Sequence, residues 1–214
     1  MKRTFLYILA ALLAASCKNC SVQNNKSEGD KPVITVTIEP LRYFTEAIAG
    51  DNFNVISMVP KGSSPETYDP TPQQLVDLAK SKAYFRIGYI GFEQTWMDKL
   101  TDNAPHLQFF DTSRGIDLIY DSSHAHHHHD ADEPHAHDSI QDDEHQHLLG
   151  VEPHVWSSAY NAQIIAGNIV NALCAIDKGN EEVYMERYKS LCNQIEHTDS
   201  LICHMLSALS LIHI

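Results

Sequence analysis

The segment VITVTIEPLRYFTEAIAGDNFNVISMV, residues 33–59, decides the fold. Its first six residues are all β-branched and predict a strand. Residues 41–49 then read as a helix, stopped by Gly50 and Asp51. Residues 54–59 predict a second strand that runs into a turn-rich loop over 60–70. The loop ends on Thr71-Pro72-Gln73-Gln74, a helix start with Thr as cap, Pro at the first position and Gln in the capping-box place. That helix should reach about residue 81. A third strand follows over 83–87, a helix over 92–100 and a fourth strand over 107–110. Strand and helix alternating on short connections imply an α/β lobe, a parallel four-stranded sheet with covering helices.

The rhythm breaks at residues 121–147, which show no apolar periodicity. This segment carries nine histidines (His124, His126, His127, His128, His129, His135, His137, His145 and His147), eight Asp or Glu, and no Lys or Arg. Such a composition predicts a mobile loop, not a buried element. Order should resume near Val151, with a helix over 159–176. After Gly179 a long helix is expected, because Tyr184, Tyr188, Leu191, Ile195, Ile202, Met205 and Leu209 form one apolar stripe at four- and three-residue steps. The chain stops on that stripe at Ile214, so the helix reads as cut off. The predicted organisation is therefore a targeting segment over 1–17, a tether over 18–31, an α/β lobe over 32–178 and the start of a long helix over 179–214.

The targeting segment has Lys2 and Arg3, then a short apolar run over 5–15, then Ala14, Ala15 and Ser16 before Cys17. The run is shorter than the ~20 apolar residues of a spanning helix. It reads as a lipoprotein signal in which Cys17 takes the lipid, so the protein leaves the cytoplasm on a membrane anchor. Residues 18–31 are polar and read as the flexible link to the lobe. Of the other cysteines, Cys192 and Cys203 lie about 16 Å apart along one helix and cannot pair. No CxxC pair lies beyond the signal region to form a thiolate zinc site; the helix cysteines read as small buried hydrophobes.

A net charge of −13 argues against nucleic acid as a partner, since phosphate neutralisation needs clustered Lys and Arg. The imidazole-rich loop points to a transition metal instead. Imidazole is a preferred ligand for Zn²⁺, Cu²⁺ and Ni²⁺, and interspersed carboxylates raise the local cation concentration. Two shorter motifs add to it. GSSPETYDP, residues 62–70, sits at the carboxyl end of a predicted strand, where open α/β sheets bind ligands, and contributes Glu66 and Asp69. EPHVW, residues 152–156, contributes His154.

In order and spacing, the first strand, the SPETYDPTP loop, the GFEQTW segment at 91–96, the acidic His-rich loop and EPHVW resemble the zinc/manganese-specific solute-binding proteins of ABC importers. The likeness is nearest to their zinc branch and runs from residue 33 to about residue 206. It implies two α/β lobes joined by a long helix, with metal held between them. Glu66 and His154 take the places of two ligands, and the other two come from a second lobe that this chain does not reach. It also implies Zn²⁺ as cargo, a membrane permease as partner, a monomer and no catalysis. Glu66 stands where the family has histidine; a carboxylate is a harder ligand and moves preference toward Mn²⁺. Two other readings are carried forward: an envelope metal buffer acting through the loop, and manganese as the transported ion. A zinc hydrolase would need a positioned general base, and the chain has no HExxH.

Overall fold

The computed structural model describes residues 31–120 and 150–207. The expected signal over 1–17 with Cys17, Cys20, all but the last residue of the tether, the nine loop histidines and the last turns with Leu209 lie outside the described residues.

Strand β1 (Val33–Val36) is central. It pairs in parallel with β2 (Asn54–Ser57) on one side and β3 (Ala83–Arg86) on the other, and β3 pairs in parallel with β4 (Gln108–Asp111). The order is β2-β1-β3-β4, with Ile34 opposite Val55 and Ala83. This is the α/β lobe that the alternation of elements implies. The first three strands close one or two residues short of expectation, although pairing continues beyond them. Met58 N–H donates to the Val36 carbonyl at 2.8 Å, Val59 to Thr37 at 3.0 Å and Thr37 to Phe85 at 3.1 Å. Residues 34–38 are all buried, as a parallel strand covered on both faces requires. The two buried threonines are satisfied, Thr35 Oγ1 by Ser81 Oγ at 2.7 Å and Thr37 Oγ1 by the Tyr84 hydroxyl at 2.8 Å.

The chain leaves β1 toward β2, then returns past β1 to β3. Right-handed crossovers put α1 (Glu39–Ala49) on one face of the sheet and α2 (Pro72–Leu78) and α3 (Gly91–Asn103) on the other. Helix α1 begins two residues ahead of expectation, because Pro40 in its first turn fixes φ and Glu39 suits the positive end of the helix dipole. Helix α2 carries both halves of the capping box, with Thr71 and Gln74 bonded reciprocally. It ends before residue 81 because Lys80 and Ser81 N–H turn to the carbonyls three residues back, at 3.1 and 2.9 Å. Helices α2 and α3 are stitched together by Asn103 Nδ2 donating to the Leu75 carbonyl at 3.0 Å.

Helix α4 (Ala159–Ile176) has the predicted bounds, with Ser158 as its cap, and packs with α1 and α5 (Glu181–Ser207). Two contacts seat α5. The fully buried Tyr184 donates its hydroxyl to Asp177 at 2.6 Å and accepts from Asn52 Nδ2 at 3.1 Å. Burial, then the Asp177 bond, push its phenol well above the usual range. Arg187 Nη1 donates to the Ala49 carbonyl at 2.8 Å, closing the end of α1. Along the stripe Tyr184 and Leu191 are buried and Tyr188 and Ile195 half-buried, but Ile202 and Met205 are exposed. The last turns of α5 pass beyond the surface that covers the first ones. The same geometry corrects the reading of the cysteines. Cys174 and Cys192 are half-buried and Cys203 is exposed, since none of the described residues covers α5 at that level; all three are free.

Gly50 is the tightest joint of this layer. Its φ is 56°, and a Cβ there would lie 2.4 Å from Arg187 Nη1. Gly50→Ala should destabilise the lobe by about 1–2 kcal/mol through backbone strain and the lost Arg187 bond, measured by urea denaturation. Arg187→Ala in the same chain should leave the strain part in place.

Candidate metal centre

Strand order reverses between β1 and β3, the point at which open α/β sheets leave a crevice at the carboxyl ends of their strands, and the sequence motifs lie along the ends of β1, β2 and β3. The loop over 60–70 leaves the β2 end and lies against the start of α3. Helix α3 has no side-chain cap of its own at Ile90. Glu66 supplies one from outside: its Oε2 accepts from Gly91 N–H at 2.9 Å, and the Pro65 carbonyl accepts from Phe92 N–H at 2.9 Å. A carboxylate at that position meets the positive end of the helix dipole and satisfies a donor the helix cannot. Further along the loop, Tyr68 packs on Phe92 with ring centroids 6.1 Å apart. Asp69 Oδ1 accepts from Trp96 Nε1 at 3.1 Å. The SPETYDPTP and GFEQTW segments therefore form one unit. Asp69 serves that joint, while Glu66 keeps Oε1 free of hydrogen bonds among the described residues.

His154 approaches from the other side. Glu152 Oε1 accepts from His154 N–H at 3.0 Å and meets His154 Nδ1 at 2.5 Å. These two bonds, the ring bond first, hold the Glu152 carboxyl below its ordinary value of 4.5. With Nδ1 occupied, Nε2 makes no hydrogen bond among the described residues. A metal-ligating histidine has this arrangement, its second nitrogen fixed by a carboxylate. Trp156 stands 5.2 Å from the imidazole, ring to ring. It also closes a cavity of about 210 Å³ with Ile38, Glu39, Val59, Pro60 and Pro65. The two motifs thus share one wall, although no bond joins Glu66 to His154. Among the described residues no three His, Cys, Asp or Glu side chains gather as a complete metal site.

The nine histidines lie outside this description, but both ends of their segment are placed. Tyr120 and Val151 form an antiparallel bridge, and Glu152 N–H donates to the Ile119 carbonyl at 2.8 Å. The two ends of the segment are thus joined at one point of the lobe, immediately before the Glu152–His154 pair.

Two residues of this site escape sequence reasoning. Glu152 is visible only as a carboxylate two positions before a histidine. Glu93, on the first turn of α3, is 1% exposed. Its carboxylate accepts from the Thr37 hydroxyl, from Ile87 N–H at 2.9 Å and from Gly88 N–H. Burial pushes this carboxyl above its usual range, against the pull of those three donors. The sequence offers one hint, an acid on the inward side of a helix whose neighbour Phe92 is apolar.

Comparison with known proteins bears on these motifs together. The family description "Zinc-uptake complex component A periplasmic" (ZnuA) matches residues 34–211. The iron ABC transporter substrate-binding lipoprotein MtsA of Streptococcus pyogenes serotype M1 is 30% identical over 197 residues, 89% of this chain and 56% of its own. The high-affinity zinc uptake system protein ZnuA of Bacillus subtilis (strain 168) is 28% identical over 201 residues, 92% of this chain and 59% of its own. Among solved structures, a zinc-bound deletion mutant of ZnuA superposes with a TM-score of 0.69 at 29% identity, covering 84% of this chain and 60% of that one. The chain thus spans well under two thirds of the length of the relatives it matches.

The join between the two segments leaves no room at Gly91. A Cβ there would lie 2.6 Å from the Glu66 carbonyl and 2.8 Å from Glu66 Oε2. Gly91→Ala should push the loop off the helix and cost about 1–3 kcal/mol, seen as a lower thermal midpoint with Trp96 fluorescence altered in the folded state.

Proposed function

This chain belongs to the ZnuA family of periplasmic zinc-uptake components, and on that premise we propose that it captures Zn²⁺ in the cell envelope for delivery to the permease of an ABC importer. The family is one of solute-binding proteins, so binding and release, and no bond chemistry, are the task. The observation that carries the reading is the Glu152–His154 pair, which commits Nδ1 and leaves Nε2 as a donor. Glu66 is the second ligand, through Oε1, while Oε2 stays on the helix. Two such donors are half of the four that zinc takes. The other two come from outside the described residues, in keeping with relatives of which this chain spans 56–59%.

In this reading the nine histidines of 121–147 collect metal at interchangeable weaker sites, beside the place where their segment re-enters the lobe. Cys17 carries the lipid that anchors the protein, a monomer, to a membrane of the cell envelope, facing the periplasm or the cell exterior. The lobe over 32–178 holds the site, and the helix beyond it leads toward the remaining ligands. Zinc is preferred over manganese on the weight of imidazole in the loop and at His154. The carboxylate at Glu66 pulls the other way, and relatives are named for iron as well as zinc. A second reading, an envelope metal buffer, is favoured by one observation: no three ligand side chains gather among the described residues.

Titration of Zn²⁺ into the chain against a chelating dye separates these readings. His154→Ala and Glu66→Ala should each weaken the tightest site by at least about tenfold. Deleting 121–147 should lower the number of ions bound and spare that site. A buffer would show graded weak sites, all lost with the deletion and untouched by His154→Ala. Glu66→His should favour Zn²⁺ over Mn²⁺ further.

A further inference from the structure

Glu93 lies outside both motif ligands, yet it ties together the elements they depend on. Oε1 takes the Thr37 hydroxyl, just past the end of β1, and Ile87 N–H, just past the end of β3. Oε2 takes Gly88 N–H, where the chain turns at a φ of 98° toward α3. Both oxygens of a carboxylate 1% exposed are therefore spent on the two strands that flank the crevice. Thr37 itself is fully buried and joined to the Tyr84 hydroxyl, so the anchor does not swing. The turn fixed in this way carries, three residues after Gly88, the Gly91 N–H that holds Glu66 Oε2. A simple core role would be filled better by an apolar side chain, because burying a carboxylate is costly unless each donor is needed.

We propose that Glu93 is a positioning residue for the metal-bearing loop, acting through the 87–91 turn to aim the Gly91 N–H at Glu66. The effect on metal rests on Glu66 being a ligand, and the experiment keeps the two ideas apart. Glu93→Gln retains shape but sets an NH₂ against a backbone donor. Thr37→Val removes the hydroxyl alone, and Thr37→Ser restores it. In the full chain, amide hydrogen exchange is followed at Gly91 and Phe92, with Met58 N–H on the Val36 carbonyl as the reference for the sheet. Zinc affinity of the tightest site is measured in parallel, with Glu66→Ala beside it.

Exchange at Gly91 should rise about tenfold in Glu93→Gln and Thr37→Val while Met58 stays protected, and zinc should weaken about tenfold. Thr37→Ser should return both to the parent values. Unchanged Gly91 exchange in both variants overturns the proposal. So does loss of Gly91 and Met58 protection together in both, which is a structural role only. If Glu93→Gln alone fails to fold, Thr37→Val decides between these results. If Glu66→Ala weakens zinc but Glu93→Gln and Thr37→Val do not, positioning is again refuted. If Gly91 loosens and neither Glu66→Ala nor Glu93→Gln alters zinc, positioning of the loop stands and Glu66 is not a ligand.

Discussion

Strand order reverses between β1 and β3, and the opening left at their carboxyl ends is the constraint on which the rest of the structure depends. Two parallel strands whose connections leave in opposite directions cannot be roofed by either connection. Backbone donors at Ile87 and Gly88 would otherwise face an apolar interior there, and unmet buried donors are expensive. Glu93 meets them from α3, and the same helix start then takes Glu66 from the neighbouring loop. The hydrogen bonds of this one helix start thus tie the loop over 60–70 to the turn after β3.

The EPHVW motif uses the same device at the surface. Glu152 binds both the backbone and the ring of His154, which sets the imidazole without any help from the core. Glu66 is thus held by the backbone at the start of α3, and His154 by a carboxylate two residues away. An exposed pair such as Glu152–His154 contributes little to stability and is screened by salt.

Much of the scaffold is legible in the sequence, for local reasons. Six β-branched residues give β1, Thr71-Pro72 with Gln74 gives the start of α2, and the cap at Ser158 gives α4 its bounds. Glu66 and His154 stand out through their motifs, and the structure sets those motifs on a common cavity wall. What escapes is long-range. Nothing near Glu93 in sequence announces Thr37, and nothing near Tyr184 announces Asn52. The apolar stripe of α5 also reads as continuous although its last turns are bare, since periodicity tells which face is apolar and not how far a partner extends.

The bridge between Tyr120 and Val151 has a consequence for how such chains can diversify. It fixes two points of the lobe, and joining them closes a ring whose entropy is one term in stability. That entropy grows with the logarithm of ring size, so doubling the number of residues costs on the order of 0.6 kcal/mol. By this term alone, residues can therefore be gained or lost between those points at little cost, and selection on the folded lobe scarcely registers the change in length.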